Sequence, residues 1–217
     1  MSQSFKAPEL PPMALATTMS KGERTRQRIM DAAEPLFSRY GFEGVSLRQI
    51  SEAALLTEPA LYNHFRGKQA LYAAVLERAL RPLSLALDDF LANGGSPETL
   101  PERMTDLLRE HPHVAALFQQ ALQGGADSDG HRLMRKWLEH LLQQGSHSMQ
   151  AVLGTHHHDP AMVAISVIAM FNLTAGYFQS QAIFDVLAEG DLMAEENIER
   201  QKRFLSKMFR VLLIALD

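Results

Sequence analysis

The chain has 217 residues, 46% of them hydrophobic and 21% charged. That suffices for one core with an appendage or for two small domains, and excludes a large multidomain enzyme. Cysteine is absent, which rules out disulfides, thiolate nucleophiles and every cysteine-ligated zinc or iron–sulfur site. As a whole-chain average, the formal charge of −4 argues against a nucleic-acid partner, which selects a basic footprint.

Residues 1–20 contain Pro8, Pro11 and Pro12 among scattered Ala, Thr and Met. They lack the basic start and continuous apolar stretch of a secretory signal, so a disordered tail and a cytoplasmic location are expected. Met19 stands just before the first charged helical segment, and both Met1 and Met19 are compatible starts. From there on, apolar residues recur at three and four almost throughout and no alternating segment competes, which makes the expected fold class all-α.

In the first predicted helix Ile29, Ala32, Ala33, Leu36, Phe37 and Tyr40 form one stripe, and Gly41 follows as a stop. Ser46-Leu47-Arg48-Gln49 has the form of a capping box and opens a short helix burying Leu47, Ile50 and Ala54. A third helix takes Thr57 as N-cap, with Glu58 and Pro59 in its first turn, and buries Leu61 and Phe65. Three helices of about 16, 8 and 8 residues with a tight break before the last describe a helix-turn-helix preceded by a support helix.

A fourth helix runs from about Lys68 to Ala92, with Pro82 as a candidate kink, and Asn93-Gly94-Gly95-Ser96-Pro97 breaks the chain. Weaker helices are predicted at 102–110 and 113–123, and stronger ones at 130–153, 160–187 and 194–216. The stretch Pro160 to Phe184 holds 25 residues without a formal charge, the length of a membrane span. Against a span stand its polar Ser166, Asn172, Thr174, Gln179 and Gln181, its flanking Asp159 and Asp185, and the lack of nearby Lys or Arg. No membrane contact is therefore expected, and such a helix is buried in a core or against a partner subunit.

Thr25, Ile29, Ala32-Ala33, Leu36-Phe37, Gly41, Ser46 to Ile50, Ala53, Ala60 to Phe65, Lys68 and Leu71 together resemble the N-terminal DNA-binding signature of the TetR family of bacterial repressors. The resemblance implies a helix-turn-helix DNA-binding domain over 21–67 and a helical ligand-binding and dimerisation domain over 68–217. It also implies a homodimeric regulator, most often a repressor, that binds a palindromic operator in double-stranded DNA and is released by a small-molecule inducer. Two departures stand out: Leu55-Leu56 replaces the turn's usual glycine, and Glu58-Pro59 replaces a small or basic residue followed by glycine. Leucine dislikes positive φ, so a strained turn is expected. The alternative reading on the same fold is an inducer-independent, DNA-bound structural or division-control protein.

Thr57, Ala60, Tyr62, Asn63 and His64 lie off the Leu61/Phe65 side and are the side chains of the third helix free to meet DNA. Tyr62 and His64 resemble the family's phosphate-contacting pair, with Thr57 and Lys68 as clamps at helix ends. Ala60 and Asn63 are candidates for base edges, and Arg48 for a base or the backbone. Lys21, Arg24, Arg26 and Arg28 give residues 20–28 a charge of +3, suited to neutralising phosphates. Trp137, Phe171 and Tyr177 are the expected ligand contacts, for a lipophilic or aromatic inducer. Helices 160–187 and 194–216 are the expected dimer contacts, since two-fold operators call for two-fold proteins.

His156-His157-His158-Asp159 cannot converge on one ion from a helix, where adjacent side chains point about 100° apart, so no metal is expected. No G-x-S-x-G, phosphate loop or dinucleotide fingerprint occurs, so the sequence names no catalytic residue and no cofactor, and the expected protein is not an enzyme. Splitting the charge then reverses the first impression. Residues 21–68 carry eight Lys/Arg and six Asp/Glu, or +2, leaving −6 for the rest of the chain.

Overall fold

The computed structural model describes residues 19–93, 99–123, 128, 130–136, 138–139 and 159–216. The predicted tail, Trp137 and the histidine run 156–158 lie outside them, apart from Met19 and Ser20 at the tail's end. Among the described residues there are helices and turns and no strand, as the periodicity predicts.

Helix α1, Lys21–Tyr40, starts earlier than its apolar stripe because Ser20 caps it. The Ser20 hydroxyl accepts the Glu23 N–H at 3.2 Å, and the Glu23 carboxylate accepts the Ser20 N–H at 2.7 Å, so two orphan donors are satisfied reciprocally. The Ser20 side chain first, and then its backbone N–H, hold the Glu23 carboxyl below its ordinary value. Gly41 ends the helix at φ +70°, its N–H donating to the Phe37 carbonyl at 3.0 Å. Three residues on, a Cβ at Gly44 would collide with the Tyr40 carbonyl oxygen, so this turn admits no side chain there.

Helix α2, Leu47–Ala53, opens on the predicted Ser46/Gln49 capping box. It closes with Leu55 at φ +54°, in the left-handed region. The Leu55 N–H donates to the Glu52 carbonyl and the Leu56 N–H to the Ser51 carbonyl, at 3.1 and 2.8 Å. This is the double closure that glycine usually supplies, and Leu55 adopts it with its side chain 87% exposed.

Helix α3, Glu58–Tyr62, has only five residues. Thr57 occupies the N-cap position, yet its side chain makes no capping bond. Pro59, the second helical residue, removes one of the two N–H groups such a cap engages. Leu61 and Phe65 are buried as predicted.

Helix α4, Lys68–Ala92, runs through Pro82 and buries Leu71, Tyr72, Val75, Leu76, Ala79, Leu80 and Leu83. It is followed by α5, Leu100–Glu110, and α6, Pro112–Gln123. Residues 130–136 are helical, with Met134 fully buried. One apolar cluster joins Ile29, Phe37, Ile50 and Leu61 to Leu76, Leu117, Phe118 and Met134, each such side chain contributing about 1.5–3 kcal/mol by leaving water. Polar links reinforce the α1 junctions. Arg78 on α4 pairs with Asp31 at 2.6 Å and Glu34 at 2.5 Å, both on α1. The Ser38 hydroxyl donates to the Pro35 carbonyl and lies 3.3 Å from Nδ1 of His113 on α6.

The predicted single helix over 160–187 is two: α7, Pro160–Tyr177, and α8, Gln181–Leu187. Between them Gln179 and Ser180 donate to the carbonyls of Gly176 and Tyr177, and the Ser180 hydroxyl takes the Gly176 carbonyl at 2.7 Å. Short-range bonds thus consume the acceptors that a continuing helix needs. The last helix, α9, Glu195–Leu216, packs on α5 and α7. Lys202 meets Asp106 at 2.6 Å and Glu199 at 2.9 Å, Arg109 meets Glu195 at 2.5 Å, and the Ser206 hydroxyl donates to Glu102 at 2.8 Å. The bond to Asp106 is the main reason that Lys202 is held above its ordinary pKa. No helix among the described residues is long and apolar enough to cross a membrane.

Candidate nucleic-acid interface

With Leu61 and Phe65 turned into the core, Thr57, Tyr62 and Asn63 stand exposed on the opposite side of α3, Tyr62 at 54%. Ala60 and His64 are half-buried beside them. A short helix whose outer side offers a hydroxyl, a phenol and an amide can place donors against phosphate oxygens and base edges at once. Immediately downstream, the Lys68 ammonium lies 4.4 Å from the centre of the Phe42 ring at the first residue of α4. That contact fixes the stem while the charge stays near the α3 end.

Arg48 projects from α2 and is exposed, but it is already engaged, its Nε donating to Glu52 at 2.9 Å. That bond, with a lesser pull from Glu52 and then Glu58, raises its pKa above the ordinary arginine value. To reach DNA it must share or leave Glu52, a pairing that the sequence signals by its i, i+4 spacing. Lys21 and Arg24 are exposed on the first turn of α1, with the Arg24 guanidinium donating to the Met19 carbonyl at 2.7 Å.

Arg26 behaves differently from the rest of that basic run. Its Nη1 donates to the His64 carbonyl at 3.0 Å and its guanidinium stacks 4.1 Å from the centre of the Phe65 ring. Sequence spacing gives no signal for this contact, which joins residues 38 positions apart.

Of the expected ligand residues, Phe171 and Tyr177 both lie on α7. Phe171 is half-buried with its ring 3.9 Å from that of Phe118. The Tyr177 hydroxyl donates to the Leu192 carbonyl at 2.6 Å, and burial, with Asp191 nearby, raises its pKa. Trp137 lies outside the described residues. Among those residues no cluster of His, Asp and Glu could hold a metal.

Comparison with known proteins fits this geometry. The model of bacterial regulatory proteins of the tetR family matches residues 29–75, the segment from mid-α1 into α4. The HTH-type transcriptional regulator TtgW of Pseudomonas putida, itself uncharacterised, is 33% identical over 113 residues, covering 52% of this chain and 84% of TtgW. The chain belongs to the TetR family. RutR of Escherichia coli, another HTH-type transcriptional regulator, is 31% identical over 124 residues, or 52% of this chain and 58% of RutR, so the matched part spans little more than half of that relative. Beyond the helix-turn-helix, the structure of Salmonella enterica GusR superposes with a TM-score of 0.62 over 91% of this chain and 99% of GusR, at 19% identity. That likeness speaks to the fold alone. As a TetR-family member the chain is similar to transcriptional regulators, and no enzyme family is indicated. Its α2–α3 turn departs from the glycine of the family signature in residue type and keeps the left-handed geometry.

Proposed function

We propose that this protein is a ligand-responsive transcriptional repressor that binds a palindromic operator as a homodimer and is released by a small lipophilic or aromatic inducer. The observation that carries the DNA reading is the exposed polar side of α3, with Thr57, Tyr62 and Asn63 standing opposite buried Leu61. Ala60, His64 and Lys68 complete the reading surface, with Lys21, Arg24 and Arg48 on its flanks. Residues 21–67 form the DNA-binding unit and 68–217 the ligand-binding and dimerisation unit, in which Trp137, Phe171 and Tyr177 line the inducer site. Two α3 helices enter successive major grooves roughly 34–36 Å apart. Inducer acts by binding better to a state in which that spacing is wrong, and α4 joins the two units through its own first turn.

Dimerisation is supported by the exposed apolar side chains of the last helices. Ile165 and Ile168 on α7 and Phe204 and Val211 on α9 are between 48% and 59% exposed, at helical spacing on two neighbouring elements. The experiment is titration of the purified protein against its own promoter. Tyr62→Ala with Lys68→Ala is expected to remove sequence-specific binding, and retention of that binding would overturn the assignment of α3.

A further inference from the structure

We propose that Arg26 is a positioning residue for α3, holding the DNA-reading helix against α1 from the far side without touching DNA itself. The inference rests on the reading of α3 as the DNA-contacting helix. It starts from how little besides the burial of Leu61 and Phe65 holds α3 in place. A helix of five residues is too short to persist on its own, since a single turn carries the whole cost of nucleation. Its N-terminus has no side-chain cap, because Thr57 makes no such bond. The turn leading into it places Leu55 at φ +54°, a conformation that L-residues resist.

Its C-terminal end is where the hold comes from. The N–H groups of His64 and Phe65 both donate back to the Leu61 carbonyl, at 2.9 and 3.1 Å, and the His64 carbonyl follows just past the end of the helix. Arg26 satisfies it at 3.0 Å and at the same time stacks on the Phe65 ring. A planar guanidinium suits this double task, donating in its plane while its face lies on an aromatic ring. The residues proposed to read DNA, Tyr62 and Asn63, immediately precede the tethered carbonyl, so the tether sets their angle to the groove. Basic runs beside a helix-turn-helix are ordinarily taken for phosphate contacts, and the two roles differ in a measurable way. A phosphate contact contributes about 0.9 to the slope of log affinity against log salt, whereas a tether contributes nothing.

The test uses the full chain with Arg26→Gln and Arg26→Lys. Each variant is titrated with promoter DNA and with bulk DNA across a salt series, and each free protein is followed by amide hydrogen exchange. Both variants are expected to lose about tenfold in promoter affinity, with bulk-DNA affinity and salt slope as in the wild type for Lys and melting temperature little changed. Arg26→Gln is expected to show the wild-type slope as well. In the free proteins the amides of Leu61 to Phe65 exchange several-fold faster than in the wild type, while those of α1 and α4 do not. A slope reduced by about 0.9 in Gln and restored in Lys makes Arg26 a phosphate contact and overturns the proposal, as does unchanged promoter affinity or unchanged exchange in 61–65. Exchange decides the matter even if the wild type fails to prefer its promoter, a result that overturns the DNA reading of α3 separately.

Discussion

Leu55 occupies the one non-glycine position among the described residues where the backbone turns left-handed, and it does so with a nearly bare side chain. Such a conformation costs an L-residue roughly 1–2 kcal/mol, part of which glycine would return as extra freedom in the unfolded chain. Leu55→Gly is expected to raise stability by about 0.5–1 kcal/mol, read as a higher urea midpoint with an unchanged slope. Tyr72 presents a different kind of tension. Its ring packs edge-on against Phe37 at 4.9 Å, but its hydroxyl is buried with no hydrogen-bond partner among the described residues. Burial pushes its pKa up to about 12 from the ordinary 10.0. The folded state thus holds the proton more tightly than the unfolded chain does, so this stabilisation is complete below pH 10 and drains away as the pH rises towards 12. Tyr72→Phe is expected to leave stability at pH 7 unchanged or to raise it by about 1 kcal/mol, and to flatten the alkaline decline in urea unfolding. A clear loss at neutral pH would mean that the hydroxyl is satisfied.

Helix boundaries were the part of the fold most open to competition between local rules. The Ser20 box that starts α1 has the same S-x-x-E/Q pattern as the Ser46 box, but the basic run beginning at Lys21 draws the eye to phosphates and hides the cap. Ser20→Ala removes the hydroxyl that accepts the Glu23 N–H, while the backbone N–H of residue 20 can still donate to the Glu23 carboxylate, and is expected to cost about 1 kcal/mol in thermal unfolding. The Leu61/Phe65 pattern is right about which side of α3 is buried. It overstates the helix, because Phe65 is buried beyond the turn at Asn63 and His64, where the helix has already ended, and no glycine or proline marks the place. The break at Phe178 to Ser180 is equally quiet in the sequence, since a serine hydroxyl and not a helix breaker takes the carbonyl. Contacts distant in sequence were illegible for a simpler reason. Arg26 with His64, Arg78 with Asp31 and Glu34, and Arg109 with Glu195 join separate elements, and periodicity within one helix says nothing about them. Arg78 closes α1 onto α4 with a side chain 30% exposed. Arg78→Gln is expected to cost about 1 kcal/mol at low salt and less at high salt, a salt dependence that a purely packing role would not show.

At the scale of the molecule the acidic average conceals a basic end, and the uncharged stretch first weighed as a membrane span is divided between α7 and α8, with one side of α7 in the core and one bare. The exposed Ile165 and Ile168 fit the proposed dimer face. Ile165→Glu with Ile168→Glu is expected to yield monomers by light scattering and to weaken promoter binding by on the order of 100-fold, because the second half-site no longer adds its effective concentration. Dimers that survive this change would move the interface elsewhere. The shortness of α3 has one more consequence, for how much of an operator can be spelled out. Five residues rising about 1.5 Å each reach along only about two base pairs at 3.4 Å apiece. So brief a word recurs throughout a genome that offers about a million competing sites or more. The address must then lie largely in the distance between two words and in the stiffness of the DNA joining them. Inserting a single base pair between the half-sites is accordingly a graver error for this protein than misspelling one letter of either.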